Sequence, residues 1–303
     1  MITTRRLVAL ALVLLLTAAA ATVAGAQPAA PATPVALTTN VLADVLAMVG
    51  PAPAPAPAQP LLQPGAMISF MGDSITNMGG YVRLAGYVLN TNYPDLKPTI
   101  INVGIGGQVA ENMEPRFVKD MRLAEKPAFC FISVGINDVW HRDRAPEDPA
   151  VLEAYKGNVA KMVDEAQAAG ATAVLLTPTL ISEDVKAEDN RRLVAYVDAE
   201  KQIATDKKAV LVDLHGMFLA AEAVKPKGLA LTRDGVHMNA YGDGIMALGV
   251  LRALGVPDAT FAKTDALPTL ALRDMGPLSQ LCPLLQTQPV RFVQFPFASF
   301  LAF

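Results

Sequence analysis

Five short apolar runs, separated by longer segments of helical period, restrict what this chain can fold into. They run from Met67 to Met71, Thr99 to Val103, Phe129 to Val134, Ala173 to Leu176 and Val210 to Val212. Runs this short and this continuously apolar suit strands buried on both faces. Helical segments between them suit crossovers that keep successive strands parallel. The pattern predicts helices near Tyr81 to Asn90, Ala110 to Leu123, Pro149 to Ala169, Asp189 to Thr205 and Tyr241 to Leu254. The expectation is an α/β fold, a doubly wound three-layer α/β/α sandwich with a five-stranded parallel sheet. It occupies residues 65–256, the length of one domain. In such sheets ligands bind beyond the carboxyl ends of the strands, so the residues that follow each run are the candidates for function.

The flanks differ from this core. Leu7 to Ala26 is an apolar run broken only by Thr17, Thr22 and Gly25; it follows Arg5 and Arg6 and ends in Ala24-Gly25-Ala26 before Gln27. A basic start, an apolar centre and small residues at the end predict a secretory signal peptide over 1–26, hence a periplasmic or extracellular protein. An uncleaved anchor is the alternative, because 20 residues also span a bilayer. Residues 27–64 read as a Pro/Ala-rich linker, with Pro28 to Pro34 and Pro51 to Pro57 favouring extended polyproline conformation. Within it, Val35 to Val49 reads either as a helix docked on the body or as an apolar patch in the spacer. Residues 257–303 form an extension holding Phe292, Phe295, Phe297, Phe300 and Phe303, expected to pack on the domain or to contact a partner or membrane.

Composition removes several classes. With 25 basic against 28 acidic residues the chain offers no basic field for phosphates, so no nucleic acid is expected. A hydrophobic share of 52% is too high for a disordered chain. Two cysteines are no disulfide framework, and Cys130 inside an apolar run reads as a buried thiol, with Cys282 in the extension.

Four segments carry polar chemistry where the fold places a site. Gly72-Asp73-Ser74-Ile75-Thr76 follows the first run, and Asn102-Val103-Gly104-Ile105-Gly106-Gly107 closes the second. Gly135-Ile136-Asn137-Asp138 follows the third, and Asp234-Gly235-Val236-His237 precedes the last helix. A serine hydroxyl is a weak nucleophile until a base takes its proton, histidine serves at neutral pH, and an aspartate beside it fixes the tautomer. Asp234 and His237 are close enough in sequence to meet in a tight turn.

These segments, in this order, resemble the SGNH or GDSL-type ester hydrolase family over Gly65 to Val256. The resemblance implies the flavodoxin-like SGNH hydrolase fold and a serine ester hydrolase with no cofactor and no metal. It implies Ser74 as nucleophile, with Asp234 and His237 completing a triad. It also implies an oxyanion hole from the backbone N–H of Ser74, Gly107 and Asn137. Gly104, Gly106 and Gly107 compete for the second of these places, and Gly107, five after Asn102, fits the family spacing best. Ile75 stands where the family name implies leucine.

Beside these, Gly79, Tyr81, Trp140 and His141 are candidate walls of a substrate pocket, and Asp73 and Asp138 are expected to brace their loops. His215 reads as a capping or surface residue. The expected partner is a small acyl ester, an O-acetyl or short-chain ester on carbohydrate or a lipid. Lysophospholipase, thioesterase and sugar O-acyltransferase activities, and a non-catalytic binding module, are the alternatives. Membrane contact is expected only through the signal segment or the Phe-rich extension.

Overall fold

The computed structural model describes residues 33–54, 57, 60–141 and 148–264, together with the backbone of 291–294. The expected signal segment, Cys282 and most of the Phe-rich extension lie outside the described residues. The described residues, which begin at Thr33, belong to one compact unit.

In chain order the strands are β1 (Met67–Gly72), β2 (Thr99–Asn102), β3 (Phe129–Ser133), β4 (Thr172–Leu176), β5 (Val210–Val212) and β6 (Arg291–Gln294). The sheet order is β5-β4-β3-β1-β2-β6, and every neighbouring pair is parallel. The first five strands are the five apolar runs of the sequence. β6 is an addition to the expected sheet: four residues of the extension pair with all of β2, Thr99 opposite Arg291 and Asn102 opposite Gln294.

The helices are α1 (Val41–Val49), α2 (Ser74–Met78), α3 (Gly80–Asn92), α4 (Ala110–Met113), α5 (Phe117–Asp120), α6 (Ile136–Trp140), α7 (Pro149–Ala168), α8 (Glu188–Lys207), α9 (Leu214–Val224), α10 (Ala240–Ala253) and α11 (Asp258–Lys263). Their starts follow capping chemistry. Asn40 accepts from Leu42 and Ala43 N–H, Asp148 from Ala150 N–H ahead of Pro149, and Asn239 from Tyr241 and Gly242 N–H. The single helix expected over Ala110 to Leu123 is instead broken into α4 and α5 by a 3₁₀ turn at Glu114–Arg116, because Pro115 has no N–H to continue the first helix.

The 27–64 segment is not simply a spacer. Its middle is α1, whose Leu42, Val45 and Met48 are buried against α9, α10 and α11. α10 is accordingly buried along its whole centre, Gly242 to Leu251. A Cβ on Gly244 would stand 2.8 Å from Val45 Cγ2, so the missing side chain is what lets α1 approach. At the other end the body continues past residue 256 through α11, where Phe261 is fully buried. In the sheet, Phe70 and Phe131 stack across β1 and β3 with centroids 4.7 Å apart. Cys130 is buried, which pushes its thiol up to about 12. Among the described residues no helix is long and apolar enough to cross a membrane.

Candidate active site

β1 and β3 are adjacent, Gly72 opposite Ser133, so the segments that follow them emerge side by side at the carboxyl edge of the sheet. Asp73 caps α2, its Oδ1 accepting the Ile75 N–H at 2.9 Å, and Ser74 is the first helical residue. Asp73 is fully buried. Burial pushes its carboxyl up to about 6, with the Ile75 N–H and the charge of His237 pulling back.

That shift has a stability consequence. A carboxyl raised above its ordinary value opposes folding once ionised, so its contribution is intact below about pH 4 and lost as pH rises through about 6. Asp73→Asn keeps an acceptor for the Ile75 N–H and cannot ionise. Thermal unfolding should show it level with the wild type near pH 4 and more stable near pH 8, by up to about 2–3 kcal/mol. A variant less stable than the wild type at both pH values refutes this.

At the end of β2, Asn102 ties the second segment to the first: its Nδ2 donates to Thr76 O at 2.7 Å and its Oδ1 accepts the Gly104 N–H at 3.0 Å. Gly104 is thereby withdrawn from the site, and a Cβ on it would lie 2.3 Å from the Asn77 nitrogen. Gly106 lies beside Ser74, where its Cβ would be 3.8 Å from the Ser74 Cβ. Gly107 takes a left-handed conformation, φ +76°, with open space where a side chain would be.

After β3, Gly135 turns the chain at φ +112° into α6. Asn137 is buried in the first turn, and its Nδ2 donates to Gln108 O at 3.1 Å. Asp138 accepts the Ala110 N–H at 3.3 Å, so neighbouring residues of α6 hold both ends of the 108–110 segment. Trp140, at the end of α6, is 36% exposed, and its ring centre lies 6.1 Å from that of His237. His141 is exposed and stands edge-on to Trp140 at 5.2 Å.

The fourth segment is a hairpin closed by an antiparallel bridge between Thr232 and Met238. Asp234 Oδ1 accepts the N–H groups of Val236 at 3.0 Å and His237 at 2.8 Å, while Oδ2 meets His237 Nδ1 at 2.7 Å. His237 Nε2 is 2.9 Å from Ser74 Oγ. Burial tends to raise the Asp234 carboxyl, but its hydrogen bonds with His237 and Val236 outweigh that and hold it below the usual carboxylate range. An ionised Asp234 keeps the ring proton on Nδ1, leaving the Nε2 lone pair free to accept from the Ser74 hydroxyl.

The structure therefore brings Ser74, His237 and Asp234 into one hydrogen-bonded series, with Gly107 in the segment that follows β2 and Asn137 in α6, which follows β3. It does not bring Tyr81 to a pocket wall. Tyr81 is fully buried, its hydroxyl 2.9 Å from Thr76 Oγ1 and its ring edge-on to Phe70. As the second residue of α3 it faces the sheet. Gly79 is the left-handed joint between α2 and α3, hemmed in by Asn102 and Arg83, so it turns the chain rather than lining a pocket. Arg83 donates to Met78 O at 2.7 Å, and burial lowers its guanidinium to about 10. His215 is buried in α9 and not at the surface, its Nδ1 donating to Thr179 O at 2.7 Å. No group of three His, Cys, Asp or Glu among the described residues is arranged to hold a metal ion.

A doubly wound sheet carrying a hydroxyl, an imidazole and a carboxylate in series at its carboxyl edge has the chemistry of hydrolases that attack a carbonyl carbon. Residues 70–245 match the GDSL-like lipase/acylhydrolase family. An acetylxylan esterase of Geobacillus stearothermophilus is 30% identical over 210 residues, 63% of this chain and 94% of that protein. The crystal structure of the acetylxylan esterase Axe2 from Geobacillus stearothermophilus superposes with a TM-score of 0.58 at 28% identity, covering 65% of this chain and 97% of that one. LAE5, an α/β hydrolase from the metagenome of Lake Arreo, gives 0.58 at 25% identity, covering 65% and 98%. Solved catalytic mutants of Axe2 replace a serine, an aspartate and a histidine, the last two separated by three positions as Asp234 and His237 are here. This chain belongs to the GDSL-like lipase/acylhydrolase family. It is a carboxylic ester hydrolase.

Proposed function

We propose that this protein is an exported serine esterase that removes short acyl groups, acetyl above all, from carbohydrate through an acyl-Ser74 intermediate. The observation that carries the reading is the unbroken series from Ser74 Oγ through His237 to Asp234, with gaps of 2.9 and 2.7 Å.

His237 Nε2 takes the Ser74 proton as Oγ attacks the ester carbonyl. The negative charge that develops on the carbonyl oxygen meets the N–H groups of Ser74 and Gly107 and the Asn137 side-chain amide. Asn137 uses one amide hydrogen on Gln108 O, and the second is left for the oxyanion. As the intermediate collapses, the imidazolium returns its proton to the departing sugar oxygen. Water, deprotonated by His237, then attacks the acyl carbonyl, and as the bond to Ser74 Oγ breaks His237 returns that proton to Oγ and the carboxylic acid leaves. Each step rests on this chain's own residues: Ser74 as nucleophile, His237 as proton carrier and the three donors as stabilisers of the oxyanion.

The acetylxylan esterase relative supports a carbohydrate ester, and so does the half-exposed Trp140 ring beside His237, an apolar face of the kind a sugar ring stacks on. The basic-then-apolar start of the chain supports export. The test is acetate release from acetylated xylo-oligosaccharides, run beside hydrolysis of p-nitrophenyl acetate, butyrate and palmitate. Release from the sugar, with acetate the fastest of the three nitrophenyl esters, is the expected result. Preference for palmitate, or indifference to the sugar ester while butyrate is cleaved, overturns the substrate assignment.

A further inference from the structure

The hairpin that presents Asp234 and His237 is clasped by a residue far from it in sequence. Glu183, in the loop between β4 and α8, directs Oε1 at three donors: the N–H groups of Leu231 and Thr232, each at 2.8 Å, and the Thr232 hydroxyl at 2.6 Å. Its other oxygen meets Lys225 Nζ at 2.5 Å, at the end of α9, and Lys225 also pairs with Glu222 at 2.9 Å. The Thr232 hydroxyl relays the hold inward by accepting the Gly235 N–H at 3.1 Å, one residue from Asp234.

A second contact acts on the same turn. The Ser182 N–H donates to Gly235 O at 2.7 Å, and Ser182 holds a left-handed backbone, φ +69°, to do so. A non-glycine residue there is strained by roughly 1 kcal/mol or more, which persists only where the surroundings compensate. Here the compensation comes from Asn190 on α8, whose Oδ1 accepts the Ile181 N–H and whose Nδ2 donates to Ser182 O and Asp184 O. Asn190 therefore fixes the 181–184 loop, which in turn grips the hairpin through Ser182 and Glu183. Burial raises the Glu183 carboxyl, but Lys225, Thr232 and Leu231 outweigh it and leave it below the usual carboxylate range, so it stays charged and its hydrogen bonds are charge-assisted.

We infer that Glu183 is a positioning residue for the reaction: by clasping Leu231 and Thr232 it fixes the hairpin that aims His237 at Ser74, without itself touching substrate. The inference rests on the reading of Ser74, His237 and Asp234 as the reacting residues. An error of about 1 Å in the placement of a reacting group costs on the order of 100-fold in rate, and substrate binding has no share in that loss.

Glu183→Ala and Glu183→Gln, compared with the wild type on p-nitrophenyl acetate, separate positioning from a merely structural role. Alanine should lower kcat by about 10- to 100-fold with KM within about 2-fold, per Ser74 titrated by a fluorophosphonate. Glutamine, whose amide oxygen still accepts all three bonds, should recover most of the loss; its amide nitrogen, turned toward Lys225, keeps recovery incomplete. With ¹⁵N-labelled histidine, the downfield Nδ1 proton of His237 should be sharp in the wild type and the glutamine variant and broadened in the alanine variant. The inference is overturned by an unchanged kcat, by a loss fully accounted for by fewer titratable sites, by equal impairment of both variants, or by a His237 proton as sharp in alanine as in wild type. A wild type that neither hydrolyses esters nor reacts with the fluorophosphonate would overturn the reading of Ser74 instead, and the His237 proton would still decide the role of Glu183.

Discussion

Ser74→Ala lowers ester turnover by about 10⁴- to 10⁶-fold while leaving the fold intact. The alanine variant keeps the Ser74 N–H, Gly107 and Asn137, so the oxyanion donors remain, but no atom is left to form the acyl-enzyme. The residual rate is attack by water on a polarised ester. The fold should not notice, because the Ser74 hydroxyl is bonded to His237 alone and the cap of α2 is made by Asp73. Steady-state hydrolysis of p-nitrophenyl acetate, with circular dichroism as the control, measures both halves. Turnover within 10-fold of the wild type would remove Ser74 from the mechanism.

The second large effect comes from a change that preserves shape. In Asp234→Asn, the side-chain oxygen stays where Oδ1 is, because the N–H groups of Val236 and His237 require an acceptor there. The amide nitrogen must then face His237 Nδ1, and it can only donate. Nδ1 becomes an acceptor, the ring proton moves to Nε2, and Nε2 can no longer accept from Ser74. The wrong tautomer costs on the order of 10⁴-fold in kcat, as the general behaviour of such triads implies. Crystallographic or circular dichroism evidence of an unchanged fold, with kcat above a tenth of wild type, would show that the tautomer is not controlled by this carboxylate.

The sheet was legible because buried parallel strands are continuous apolar runs; each of the five begins and ends within about a residue of its run. α9 was not, because Leu214–Val224 follows β5 after the single capping residue Asp213 and, with His215 and Glu222 its only polar side chains, shows no clear helical period. α2 and α6 have five residues each, too few for a period to show. In 27–64 the proline content left α1 as one of two readings of Val35 to Val49, although Asn40 ahead of an apolar stretch is a readable cap.

The site divides the same way. Ser74, Asp234 and His237, which the structure joins by hydrogen bonds, are polar residues in turns that the fold delivers to one edge, whereas Gly107 and Asn137 were pointed to by the family resemblance. Tyr81 was misread because nearness in sequence to a turn says nothing about which face of the following helix a side chain takes. Glu183 gave no signal, since its partners lie 42 to 49 residues away and two of them are backbone N–H groups, which carry no sequence signature.

β6 moves the border of the sheet. A sheet ending at β2 would present a row of N–H and C=O groups along its border, an invitation to strands from other molecules. Arg291–Gln294 occupies that row from within the same chain. Among the described residues the sheet therefore ends at β6 and not at β2, and to trim the extension as surplus sequence would uncover the border nearest Asn102, the residue that ties the second segment to the turn carrying Ser74.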